Sequence, residues 1–173
     1  MKKPFNIISV LAFLIFTLLA FPCQLIAGQY QVTRVIDGDT IKVDDGTKKI
    51  TIRLVGIDAP ETSKGKNDPG QPFSQQSTKH LAGLVLNQTV DIKSYGDDPN
   101  GRMLGEVFVV DRNINLEMVK AGLAEVYRGK ATSGLDMEQF RKAEEEARRA
   151  GRGMWVLGDK YVSPKEWRKT HGN

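Results

Sequence analysis

The stretch KITIRLVGIDAPET, residues 49–62, decides the architecture. Its first half alternates as a half-buried strand does. Ile50, Ile52 and Leu54 share one face, and Arg53, Val55 and Ile57 fall on the other. Its second half turns polar at once, with Asp58, Pro60 and Glu61. A strand end alone accounts for Asp and Pro. An arginine in the strand and two carboxylates just past it do more if the chain doubles back after Ile57, because charges of both signs then stand at fixed spacing. Gly56 and Pro60 favour such a bend.

Working outward, YQVTRVI (30–36) and TIKV (40–43) precede it as strands, and Asp45-Gly46 supplies a hairpin turn. The loop SKGKNDPGQ follows. A helix is then expected, with Phe73, Ser77, Leu81, Leu84 and Val85 near helical spacing. TVDIKS (89–94) and MLGEVFVV (103–110) read as further strands around the loop GDDPNGR. A short helix is expected from Asn115 to Gly122. A longer one starts at Asp136, which forms a capping-box pattern with Gln139; Met137, Phe140, Ala143 and Ala147 make its apolar stripe, and Gly151 ends it. The segment VSPKEWRKTHGN carries no recognisable pattern. Five short strands with about three helices give an α+β, mainly β class. A five-stranded Greek-key barrel of the OB type fits, although pattern alone does not separate it from other small α+β folds.

Residues 1–27 read as a secretory signal peptide: Lys2 and Lys3, then the uncharged apolar run IISVLAFLIFTLLAF, then a cleavage site after Ala27. An uncleaved anchor is the other reading, but the run is short for a span of about 20 residues. Cleavage leaves 146 of the 173 residues, the size of one domain, here taken as 28–157 with a tail over 158–173. Two lysines leave with the leader, so the net charge falls from +4 to +2. This mild excess allows a polyanionic ligand without requiring one. The single cysteine, Cys23, also leaves, so the mature chain has neither a disulfide nor a thiolate metal site. A secreted or periplasmic monomer without stable membrane association is expected.

Only His80 and His171 are available for imidazole chemistry, the first within a helix and the second in the tail. No zinc set, P-loop or G-x-S-x-G elbow is present. DGDT at 37–40 is not an EF-hand loop: Ile41 stands where the third ligand belongs, and Lys48 replaces the closing glutamate. Carboxylates and arginines remain. Asp39 and Asp58 suit a hard cation. Arg53 and Arg102 suit phosphate oxygens, and Glu61 suits proton abstraction from water. Taken singly, each has an ordinary reading as a turn residue or a surface charge.

Taken together, VIDGDTIKV, IRLVGIDAPET and a Gly-Arg before a strand resemble the staphylococcal nuclease family over roughly residues 30–157. The helix FRKAEEEARRAGRGMW and the ending PKEWRK are similar to those of the family. The resemblance implies a Ca²⁺-dependent phosphodiesterase on an OB-fold barrel, acting on DNA and RNA with little sequence preference and leaving 3′-phosphate ends. It implies that Asp39, Asp58 and the backbone carbonyl of Ala59 bind the metal. Arg53, Arg102 and Glu61 match its catalytic residues. Thr40 matches a threonine beside the metal, and Tyr127 a tyrosine near the nucleotide. The sequence departs from the family at Pro99-Asn100, where an aromatic often precedes Gly101-Arg102. The rival class is a non-catalytic OB-fold module that binds nucleic acid or protein.

Overall fold

The computed structural model describes residues 29–63, 65, 68–130 and 132–171. The signal peptide expected over residues 1–27 lies outside them.

Strand β1 (Gln29–Val35) pairs antiparallel with β2 (Thr40–Asp44), and β2 with β3 (Lys49–Leu54). The β2–β3 turn is built on Asp45. Its carboxylate accepts from the backbone N–H groups of Thr47 and Lys48 and, at 2.6 Å, from the Thr47 hydroxyl. These bonds hold its pKa down at about 2. β1 also pairs with β5 (Thr89–Asp97), and β5 with β6 (Met103–Val109). β6 then returns to β3 in parallel, with Ile52 opposite Met103 and Leu54 opposite Gly105. That last pairing closes a five-stranded Greek-key barrel of the OB type, formed by the five strands expected from the sequence.

Val32, Ile41, Val43, Ile52, Leu54 and Val107 fill the interior and are wholly buried. Helix α1 (Ser74–Val85) adds Leu81 and Val85 to this core. Two-residue strand β7 (Arg112–Asn113) leads into α2 (Ile114–Lys120), capped by the Asn113 side chain. Asn115 is buried at the barrel's closing seam. Its Nδ2 donates to the carbonyls of Val55 and Gly105 at 2.9 and 3.0 Å, and its Oδ1 accepts from Val107 N–H at 3.0 Å. Helix α3 (Met137–Arg149) is capped by Asp136 and buries Phe140, Ala143 and Ala147.

Three expectations need correction. The alternation of β3 stops at Leu54: both Val55 and Ile57 enter the core. The bend falls before Ile57 rather than after it, at Gly56, whose φ of +81° is left-handed. Ile57 and Asp58 then form β4, paired with β8 (Glu125–Val126) so that Asp58 stands opposite Glu125. Finally, the C-terminal segment is structured. A 3₁₀ segment (Gly153–Lys160) leads to a fourth helix, α4 (Pro164–His171). The signal was present in Ser163-Pro164-Lys165-Glu166, with proline in the first turn and the Ser163 hydroxyl accepting from Glu166 N–H at 3.1 Å.

Candidate active site

The loop between β1 and β2 places the first carboxylate. Asp39 N–H donates to Asp37 Oδ1 at 3.1 Å, and the Asp39 carbonyl accepts from Leu54 N–H at 2.8 Å, which ties the loop to the end of β3. A Cβ on Gly38 would overlap Ser77 Oγ and Ala59 Cβ, so only glycine lets this loop lie against α1. The Asp39 side chain is buried, and both of its oxygens accept hydrogen bonds. Its Oδ1 accepts from the Thr40 hydroxyl at 2.9 Å and from Arg53 Nη1 at 2.8 Å, and its Oδ2 accepts from Ala59 N–H at 3.0 Å.

Thr40 faces Arg53 directly in the β2–β3 register, and this pairing sets the arginine beside Asp39. Arg53 Nη2 donates to Asp58 Oδ1 at 2.9 Å, so one guanidinium bridges two buried aspartates. Burial pushes the Asp39 carboxyl up to about 7, with Arg53 pulling the other way and Asp37 adding to the rise. Burial also works against the charge on Arg53, yet Asp39 and Asp58 outweigh it and raise its pKa. The guanidinium stays charged.

Glu61 follows three residues after Asp58. Its backbone is fixed by Gln71, whose N–H donates to the Glu61 carbonyl at 2.8 Å and whose Oε1 accepts from Glu61 N–H at 3.0 Å. Gln71 Nε2 in turn donates to the Val162 carbonyl at 2.7 Å, joining this corner to the C-terminal segment. From α4, Arg168 reaches the same carboxylates. It donates to both oxygens of Asp58, at 3.0 and 2.7 Å, and to Glu61 Oε1 at 2.5 Å.

Arg102 is set separately. Asp98 closes the β5–β6 loop by accepting from the N–H groups of Asn100 and Arg102, and its Oδ2 accepts from Arg102 Nε at 2.7 Å. Burial acts to raise the Asp98 pKa, but the hydrogen bonds from the Arg102 backbone and side chain outweigh it and lower it. The guanidinium is thereby aimed by its own loop.

Asp39, Arg53, Ala59, Glu61, Arg102 and Arg168 all line one cleft of about 990 Å³. Tyr127 also lines it and is 43% exposed. Tyr95, from β5, lies on its wall too, so the cleft has a second aromatic residue although none precedes Gly101-Arg102 in the loop. Thr40 is buried with its hydroxyl on Asp39, which it orients. A second cleft, about 820 Å³, holds the buried acid Glu106, but Tyr95 and Asn113 already donate to it, at 2.5 and 2.8 Å.

The family model described as staphylococcal nuclease homologue matches residues 51–156. The chain belongs to that family. An uncharacterized endonuclease of Escherichia coli O157:H7 is 40% identical over 139 residues, covering 80% of this chain and 83% of its own. An uncharacterized endonuclease of Haemophilus influenzae is 36% identical over 157 residues, covering 90% and 81%. A probable endonuclease LCL3 of Candida tropicalis is 36% identical over 129 residues, 70% of this chain and 54% of its own.

Within this member of the staphylococcal nuclease family, the sequence pointed to Asp39, Arg53, Asp58, Glu61 and Arg102 as the chemical groups. Asp98, Gln71 and Arg168 join them only through the fold. Asp98 had a local signal, an acid opening the turn Asp98-Pro99-Asn100-Gly101. The pairing of Arg168 had none, since its partner Asp58 is 110 residues away.

A metal must fit what the site offers. Among the described residues, no group of three or more His, Cys, Asp or Glu is drawn together as a cage. Asp39 and Asp58 are hard oxygen donors held on either side of one arginine. That set fits an oxygen-preferring divalent cation whose other ligands are backbone carbonyls, water and substrate phosphate.

Proposed function

We propose that this chain is an exported, Ca²⁺-dependent nuclease that hydrolyses DNA and RNA with little sequence preference and leaves 3′-phosphate ends. One observation carries the reading: Arg53 is fixed between Asp39 and Asp58 in a cleft that also presents Glu61 and Arg102. The family and its endonuclease-named relatives support the reaction class. The apolar run after Lys2 and Lys3 supports export.

In this reading the guanidinium groups of Arg53 and Arg102 bind the phosphate and stabilise the charge that builds on its oxygens. Their planar forks match phosphate oxygens two at a time. Glu61 accepts the proton of the attacking water, whose oxygen bonds to phosphorus as the bond to the 5′ oxygen breaks. Asp39 and Asp58, with the Ala59 carbonyl, would hold the Ca²⁺. When bound, the ion polarises the phosphate and adds positive charge where the transition state is most negative. Thr40 keeps Asp39 oriented, and Tyr127, on the cleft wall, contacts the bases. The product is a monomeric enzyme with no stable hold on the membrane once its leader is removed.

A non-catalytic binding module would need neither the two buried aspartates nor a carboxylate beside them. Incubation of the purified protein with plasmid DNA and with RNA, with Ca²⁺ and with chelator, separates the classes. Ca²⁺-dependent cleavage to 3′-phosphate ends is expected; binding without cleavage under every metal condition would leave the module. Intact mass of exported protein, expected to begin at Gly28, tests the leader.

A further inference from the structure

We propose that Arg168 is a tethered cation that closes the acidic site from α4, and that a divalent metal displaces it, releasing α4 and freeing Glu61 together. The inference rests on the metal reading above.

Both oxygens of Asp58 are engaged, with three of its roughly four acceptor sites taken. Its Oδ1 accepts from both Arg53 and Arg168, and its Oδ2 accepts from Arg168 at 2.7 Å. A metal ligand must offer a lone pair, and a guanidinium donates only hydrogen bonds. A metal on Asp58 and the guanidinium of Arg168 therefore compete for the same oxygens. The charges agree. With all five groups ionised, the carboxylates of Asp39, Asp58 and Glu61 face the guanidiniums of Arg53 and Arg168, leaving a single net negative charge for a divalent ion. Withdrawing Arg168 doubles it.

Glu61 is caught in the same clasp. Its Oε1 accepts from Arg168 Nη1 at 2.5 Å, so the guanidinium stands where an attacking water would have to approach that oxygen. One oxygen of the residue assigned as base is thus occupied by the same side chain that sits on Asp58. One side chain enforces both conditions. The bonds to Asp58, opposed by partial burial and reinforced by Glu61, raise the Arg168 pKa, so the clasp does not open by losing its charge.

The element that carries Arg168 is suited to move. Helix α4 has eight residues, and Pro164 is its one buried member. The chain leading to it is pinned more firmly, by Gln71 to the Val162 carbonyl and by the Tyr161 hydroxyl to Glu125 at 2.6 Å. The hinge therefore falls after Val162. Because binding linkage is reciprocal, metal loosens α4 by the same factor by which α4 weakens metal, typically about 5- to 150-fold.

The test titrates Ca²⁺ into the wild type, Arg168→Gln and Arg168→Lys by calorimetry, and follows amide hydrogen exchange of residues 162–171 with and without Ca²⁺. The glutamine variant should bind Ca²⁺ at least about 5-fold more tightly. The lysine variant should fall between, since it keeps the charge but not the two-point grip. In the wild type, Ca²⁺ should speed exchange in α4 while the barrel strands stay protected, an outcome that needs no variant. Equal or weaker Ca²⁺ binding by Arg168→Gln, with α4 exchange insensitive to Ca²⁺, would overturn the clasp and leave the metal site standing. No Ca²⁺ binding by any of the three proteins would overturn the metal site, and the clasp with it.

Discussion

Arg53 Nη1 lies 2.8 Å from the carboxylate of Asp39, the residue just before its partner Thr40 in the β2–β3 ladder. The pair is therefore a consequence of strand register, and the same guanidinium continues to Asp58. A lysine could reach one aspartate but could not bridge both or clamp two phosphate oxygens. Arg53→Lys should lower single-turnover cleavage by on the order of 10²- to 10³-fold, the usual loss for one transition-state donor. Arg102→Lys should do likewise, since it also loses the Nε bond to Asp98 that aims it. Wild-type rates in both variants would remove the arginines from the phosphate site.

Glu61→Gln keeps the shape of the side chain and the Gln71 bonds that fix its backbone. It removes the charge and the basicity. Cleavage should fall roughly 10²- to 10⁴-fold, the range for a lost general base, while the melting temperature changes little. Measuring melting and single-turnover cleavage on one preparation distinguishes this from misfolding. A folded glutamine variant that cuts normally would assign proton transfer elsewhere.

Local pattern made the barrel legible because its strands alternate and its turns carry their own chemistry. Asp45-Gly46 marked the β2–β3 hairpin, and Asp136 marked the start of α3. The arginine and carboxylates of residues 53–61 were legible for the same reason: nine consecutive residues hold most of the site. Two things were not. Periodicity put Val55 and Ile57 on the face of Arg53, but Gly56 adopts a left-handed φ and turns the chain, so both enter the core. Arg168 depends on how α4 docks, a tertiary choice that no local pattern encodes. Asn115 is a similar case, a polar residue in a short helix whose partners lie on the barrel.

Those partners make Asn115 a stability determinant. Its side chain satisfies the Val55 and Gly105 carbonyls and the Val107 N–H at a fully buried seam. Asn115→Ala leaves these groups without that partner, although Gly105 O keeps a bond from Val55 N–H at 2.9 Å. Each buried group left unsatisfied costs about 1–3 kcal/mol, so a loss of roughly 2–4 kcal/mol is expected in urea unfolding. An unchanged midpoint would show that water or a backbone shift replaces the side chain.

Glu125 should make stability depend on pH in the direction opposite to ordinary surface acids. It stands opposite Asp58 in the β4–β8 pair and is 3% exposed. Burial raises its pKa above the ordinary 4.5; the Tyr161 hydroxyl opposes this and the charge on Asp58 adds to it. A carboxyl that is raised on folding holds its proton more tightly in the native state than in the unfolded chain. Below pH 4.5 both states carry the proton and nothing is lost. As pH rises from there through the folded pKa, the unfolded chain ionises first, and the native state is progressively disfavoured. Glu125→Gln removes the ionisation, and its amide oxygen can still accept from Tyr161. The variant should melt above the wild type at pH 7.5, with the gap closing as pH is lowered to 4. Thermal melts across that range check the sign. A variant that is less stable at pH 7.5 would mean that the charge on Glu125 is needed by Arg128 or by the Tyr161 bond more than burial opposes it.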